Sequence, residues 1–474
     1  MIFSNGKYYI HFPSLTRLRI SGCPKMMTFS SLEGKQQSMT TDTSLQQAFG
    51  CTNFGLSLPV FFNQNVHFPS LEELTLLSLR GLRRIWHNEI PEESFCKLAS
   101  ISVRDCENLS HIFPLTLIVR LQSLKMIEVV ECTSLEALME HVSINTKERL
   151  KCLTFLGLKE VKLWHLPRLN VIVTSSTKAT FSLPSLTDVS LRCCDDLRYL
   201  FTKDTARTLD KLEKLDVSRC INMQQIIAME EGEAQKLKAV KFSHLCTLKL
   251  CSLKSLTSFS SGSGAYEFPS LRNLSIVECT ELKAFILRPP ATSKEMNERT
   301  VGFDKAPYCL FDKKVILPNL EELRLTRIES RELWESESIF FHNLTSIRVE
   351  DCPCLRNLFI MSMAKSLGHL QYLGIGGCGE MEYIVGREEE KPEEAADKIV
   401  IPQLVTLYIH NMPKLRSFCH EKHISEWPSL KQLSIEDCKA VKVILGDTSY
   451  RKLGGNIPTA QSLLQVEKVC TRFF

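Results

Sequence analysis

The chain has 474 residues, 44% hydrophobic and 24% charged, the make-up of a folding chain and not of a disordered one. Its 58 basic and 54 acidic residues leave a formal net charge of +4, which excludes a global field drawing it onto nucleic acid or an anionic membrane; any charged site is a local patch. No uninterrupted apolar run approaches the roughly 18 to 20 residues of a membrane helix, and the opening "MIFSNGKYYIHFPSL" lacks the basic start and apolar core of a secretion signal, so a cytoplasmic chain with reduced thiols is expected.

Residues 1–11 read as an N-terminal edge. The first copy of a repeated motif follows, Leu15-Leu18-Ile20-Cys23-Met26-Phe29, with apolar residues or Cys at offsets 0, 3, 5, 8, 11 and 14 from its leading leucine. The same template starts again at Leu71, Leu98, Leu124, Leu158, Leu186, Leu212, Leu245, Leu271, Leu320, Leu344, Leu370, Leu404 and Leu430, making fourteen copies. Several neighbouring starts lie 26 residues apart, as from Leu245 to Leu271. The copy at Leu320 is the weakest, because Arg331 occupies offset 11. Inserts near 30–67, 173–182, 230–241, 286–316 and 386–400 break the rhythm and are expected to bulge as loops; "GREEEKPEEAADKIV" within the last is strongly acidic and reads as a solvated loop. Beyond residue 445 the template is lost, and residues 446–474 are expected to be a tail or cap.

L-x-x-L-x-L spacing at this length is that of a leucine-rich repeat. Offsets 3 and 5 point to one side of a short strand and offsets 2, 4 and 6 to the other. Offsets 8, 11 and 14 are three apart, which suits a helical or 3₁₀ turn on the return path. A single coil cannot bury its own apolar face, so the copies must stack. The spacing predicts one α/β solenoid over residues 12–445, a curved horseshoe with a parallel sheet on its concave face and short helical or irregular segments on its convex face.

Nine of the nineteen cysteines stand at offset 8, where other copies carry Leu, Ile or Met. A position that accepts all four selects for burial and modest size, so these thiols belong to the core and not to chemistry. Cys193-Cys194 and "DCPCLRN" lack a second ligand pair at zinc spacing. The phosphate loop, dinucleotide, zinc-protease and nucleophile-elbow motifs are absent from the sequence, and the twelve histidines keep no common offset. No catalytic residue, cofactor or metal is predicted, and the chain is expected to be a non-enzyme. A thiol enzyme would need one cysteine of depressed pKa beside a base.

If offsets 2, 4 and 6 face a partner, large aromatics and arginines there are the candidate contacts. They are Arg17, Arg19 and Arg104 early in the chain; Lys162 and Trp164, with Met126 beside them from the preceding coil; and Arg324, Arg348, Tyr372, Tyr408 and His410 late in it.

"FPSLTRLRISGCPKMMTF", "DCPCLRNLFIMSMAKSLGHLQYLGIGGCGEMEYIV", "IVIPQLVTLYIHNMPKLRSF" and the recurring "FPSL" or "LPSL" resemble the C-terminal repeat region of plant coiled-coil, nucleotide-binding leucine-rich-repeat disease resistance proteins, over roughly residues 10–445. The resemblance implies recognition, in defence, of a pathogen effector, a guarded host protein or the receptor's own nucleotide-binding domain. No phosphate loop precedes the repeats here, so ATP hydrolysis is not carried over; a receptor fragment or a free-standing module is expected. The alternative is a stand-alone adaptor such as the substrate-recognition module of a ubiquitin ligase, which would need a ligase-docking helix ahead of Phe12.

Overall fold

The structure is a computed structural model and describes residues 2–4, 9–30, 60–87, 90–140, 152–173, 180–228, 239–262, 264–287, 309–335, 341–386, 398–419 and 424–441. One parallel sheet of fourteen five-residue strands runs through it in chain order, from Arg17–Ser21 to Gln432–Glu436. Each strand begins two residues after one of the fourteen template leucines, and the coils are numbered 1 to 14 accordingly. At about 4.8 Å per strand the sheet is on the order of 60 Å long. Neighbours pair offset to offset, as in Asn273↔Glu322, Ser275↔Arg324 and Val277↔Thr326. The leucine-rich-repeat solenoid is thus the fold of the chain.

Alternation along a strand sorts the side chains. In Asn273–Val277 the burial runs half, full, half, full, half, so Leu274 and Ile276 enter the core and the other three face out. Leu271, Cys279, Leu282 and Phe285 are also buried, and one apolar core continues from coil to coil. The seven offset-8 cysteines from Cys106 to Cys378 are buried, whereas Cys23 and Cys438, in the two end coils, are only partly covered.

Two local devices turn the chain out of each strand. At offset 7 every coil takes a positive φ: twelve non-glycine residues between 49° and 57°, and Gly22 and Gly377 at 66° and 65°. That left-handed residue aims its amide at the next coil, as where Glu278 N–H donates to Thr326 O at 2.8 Å. The turn expected at offsets 8 to 11 then follows in thirteen coils, for example Leu282 N–H to Cys279 O at 3.1 Å. Coil 10 is the exception: it lacks this bond, Arg331 is exposed, and Trp334 at offset 14 carries the core contact.

The convex side holds less helix than the spacing suggests. Among the described residues three helices of four residues, α1 (Leu115–Ile118), α2 (Lys203–Ala206) and α3 (Met361–Ala364), occupy offsets 17 to 20 of coils 3, 6 and 11. Elsewhere the described return path carries two- to four-residue strands paired in parallel between neighbouring coils, such as Ala137–Glu140 with Val171–Val173. A run of four helical residues forms only one turn, and a strand can borrow its hydrogen bonds from the adjacent coil.

The insert windows are likewise not loop throughout. Val60–Phe62 and Val66–His67 pair with Arg84–Trp86 and Ile10–His11, Cys309–Phe311 pairs with Glu332–Trp334, and Lys398–Val400 pairs with Ile424–Glu426. Apolar residues at the ends of these windows, Phe61, Phe62, Phe311 and Ile399, are buried and draw the chain back onto the stack. Most of the acidic stretch 386–400 and the tail from 446 lie outside the described residues, and the domain limits at 11 and 445 remain expectations. Among the described residues no helix is long and apolar enough to cross a membrane.

Candidate protein-contact face

All eleven candidate contact residues stand on concave strands at offsets 2, 4 or 6 and are half-buried or exposed. Ten of them fall along the stack into three stretches, coils 1 to 3, coil 5 and coils 10 to 13, and Met126 stands apart. At the first, Arg17 Nε lies 3.1 Å from Glu73 Oε2, its in-register neighbour, while Arg19 makes no hydrogen bond or ion pair among the described residues. Arg104 reaches Glu128 Oε2 at 2.7 Å, and Ser102 Oγ donates to the same oxygen at 2.7 Å. Burial works against the Glu128 carboxylate, but the bonds from Arg104 and Ser102 outweigh it, and the group titrates below the usual carboxylate range.

At the second patch Trp164 Nε1–H donates to Ser190 Oγ at 3.0 Å, and Arg192 stands over the indole 5.9 Å from its centroid. Lys162 pairs with Glu160 at 2.6 Å. Met126 does not belong to this group. Its register partner is Glu160, whereas Trp164 lies opposite Val130, so the two side chains sit at opposite ends of their strands, about 13 Å apart. Adjacent coils bring side chains together at equal offsets or one outward position apart, as Arg348 and Tyr372 show, and offsets 2 and 6 are farther apart than that.

The third patch is the densest. Arg348 Nη2–H donates to the Tyr372 hydroxyl at 2.8 Å with its guanidinium 5.4 Å over the ring, and its Nε is 3.7 Å from Glu350. Tyr408 lies opposite Gly374, diagonal to Tyr372, and its ring meets His410 at 4.9 Å. Gly374 and Gly376 lack side chains, and Tyr372 and His410 fold into the room this leaves: a Cβ on Gly374 would stand 2.8 Å from the Tyr372 hydroxyl, and one on Gly376 would collide with the His410 ring. Both glycines are required by close approach, not by backbone angle.

Sequence reasoning missed the ridge at offset 7. There Ser252 donates to Glu278 at 2.7 Å, and Arg327 bridges Glu278 at 2.6 Å and Asp351 at 3.6 Å. Comparing residues at one offset down successive coils, instead of along one coil, would have exposed this alternation of charge. An apolar cavity of about 120 Å³, bounded by Ile127, Phe155, Val161, Leu163, Phe181 and Leu186, lies behind the sheet in coils 4 to 6 and not on this face. Among the described residues no group of three or more His, Cys, Asp or Glu is placed to hold a metal ion.

The family model described as plant disease resistance protein RPS2-like, leucine-rich repeats, matches residues 70–221, 203–298 and 319–454. The chain belongs to this family. The repeats from coil 2 onward, which carry Arg104 and the second and third patches, are therefore leucine-rich repeats of the plant disease resistance type. Over 131 residues this family member is also 27% identical to Probable disease resistance protein At4g27220 of Arabidopsis thaliana. That stretch covers 27% of the chain and 14% of the relative, so only a small part of the relative's length is matched.

Proposed function

We propose that the chain is the recognition region of an intracellular plant disease resistance protein, non-catalytic, and that it contacts protein partners in defence through its concave face. The observation that carries this reading is the continuous fourteen-strand sheet in a chain of this family, presenting three outward side chains per coil in fixed register. Such a surface is built for extended contact, and its aromatic and arginine residues are of the kind that anchor interfaces. A pathogen effector, a guarded host protein or a receptor nucleotide-binding domain are the partners that follow from the family. Arg17, Arg19, Arg104, Lys162, Trp164, Arg324, Arg348, Tyr372, Tyr408 and His410 are the proposed contacts, with Met126 contributing separately.

A photo-crosslinking amino acid placed at Trp164, Tyr372 or Tyr408, with convex Val119 as the control site, tests this in infected plant cells. Adducts with defence or effector proteins from the concave sites, absent from the control, are expected. Identical adducts from both faces would remove the reading.

A further inference from the structure

We infer that Arg324 and Arg348 together form an anion clamp for an acidic segment of a protein partner. This deepens the proposed reading of the concave face and rests on it. The two arginines are in-register neighbours at offset 4 of coils 10 and 11, the one place among the described residues where two cations sit side by side on this face. Like charges directly opposite on a sheet destabilise it. Such a pairing, relieved on one side only, marks a site where local stability yields to function.

The neighbouring acids relieve only the Arg348 side of it and leave Arg324 without an ion pair among the described residues. Glu350 faces its own strand-mate Arg348, Glu322 accepts from Asn273 Nδ2 at 2.7 Å, and Glu278 and Asp351 are both taken by Arg327. Arg324 is exposed, has Ser275 on its other side, and makes no hydrogen bond or ion pair among the described residues. Arg348 is held in place by the Tyr372 hydroxyl, which supplies no charge.

In-register neighbours are about 4.8 Å apart. Two guanidinium groups on adjacent strands can flank a single carboxylate, each donating a charge-assisted hydrogen bond to one oxygen. Beside them Tyr372 lies folded over Gly374, and its ring and that of Tyr408 offer flat surfaces to the backbone of an extended chain. The partner is therefore a peptide or loop carrying glutamate or aspartate, laid across coils 10 to 13.

A dye-labelled hexaglutamate peptide, titrated into the full chain at low salt and followed by fluorescence anisotropy, tests the clamp, with hexaglutamine as the neutral control. Hexaglutamate should bind and hexaglutamine should not. Arg324→Gln should weaken binding at least tenfold, while Arg83→Gln, which removes an exposed arginine outside the concave strands, should leave it unchanged. Equal losses in the two variants, equal binding of both peptides, or binding only of a phosphoserine peptide would overturn the carboxylate clamp. If these fail while crosslinks from Tyr408 persist, the contact face stands and only the clamp is lost.

Discussion

Single residues carry the backbone geometry of every coil, and the two glycines at offset 7 separate its components. Gly22 has φ 66° and nothing within 4 Å of where a Cβ would stand; Gly377 has φ 65°, but a Cβ there would collide with the Asp351 carboxylate and come within 3.1 Å of its backbone. Gly22→Ala should therefore cost only the left-handed penalty, about 1 kcal/mol, and Gly377→Ala about 2 to 3 kcal/mol because packing strain is added. Equal losses in urea unfolding would show that backbone angle alone decides. Buried Cys279 makes a second case, its thiol pushed up to about 12 by burial in the core. Cys279→Ala should cost about 1 to 2 kcal/mol at pH 7 through the small cavity it leaves. The unfolded thiol loses its proton near pH 8.5 and the folded one only near 12, so wild-type stability falls as pH rises between these values, and the alanine variant escapes that part of the fall. The gap between the two proteins should narrow from pH 8 to pH 10; a constant gap would mean that the folded thiol is not held protonated. Cys132, Cys194 and Cys378 differ from Cys279: each is raised by the facing thiol of a neighbouring coil and by burial, while the facing Cys106, Cys220 and Cys352 are lowered, so each pair titrates as a unit.

At the scale of the element, the template explains what a coil tolerates. Leu282 fills offset 11 of coil 9 and closes its turn, whereas Arg331 at the same offset of coil 10 points to solvent where that turn is missing. Leu282→Arg should cost more than 3 kcal/mol, the penalty of a lost core leucine with a charge driven into its place. Arg331→Leu should change stability by less than about 0.5 kcal/mol, because no core site awaits the leucine. A clear gain from Arg331→Leu, read from the unfolding midpoint, would show that the tenth turn can form after all. The strands and the offset-8 turn were legible because apolar spacing states directly which side chains must be buried. The left-handed residue was not, because twelve of its fourteen occupants are ordinary side chains such as Glu278, Cys193 and Arg219, and eleven of the twelve, all but Asp437 in the last coil, donate an inter-coil hydrogen bond that no composition betrays. Short strands on the convex side were hidden for the same reason: a pair of residues such as Val240–Lys241 becomes a strand only through its neighbour, Tyr266–Glu267. Of the contact face, outward positions could be read from the period of two, but the folding of Tyr372 over Gly374 and the separation of Met126 from Trp164 depend on register between coils.

At the scale of the whole molecule, a stack whose contacts run only between neighbours should shorten without collapsing. Leu245 and Leu271 both head a coil, so removing residues 245–270 joins coil 7 to coil 9 with the template unbroken and lets Ser218 meet Val277 where it now meets Cys251. The outward columns stay in phase, and inward faces Leu215-Val217 and Leu274-Ile276 match the apolar pairs already present. The shortened chain should keep a cooperative transition and native far-ultraviolet circular dichroism, with a denaturant slope lower by roughly one part in fourteen because less surface is exposed on unfolding. Removal of residues 245–257 instead severs a coil halfway, leaves the concave strand Thr247–Cys251 absent while its convex return Ser258–Ser261 remains, and exposes core on both flanks. That chain should aggregate or unfold several degrees lower than the whole-coil deletion. If the two deletions behave alike, the coils are not independent stacking units, and the concave face must be understood as one indivisible surface.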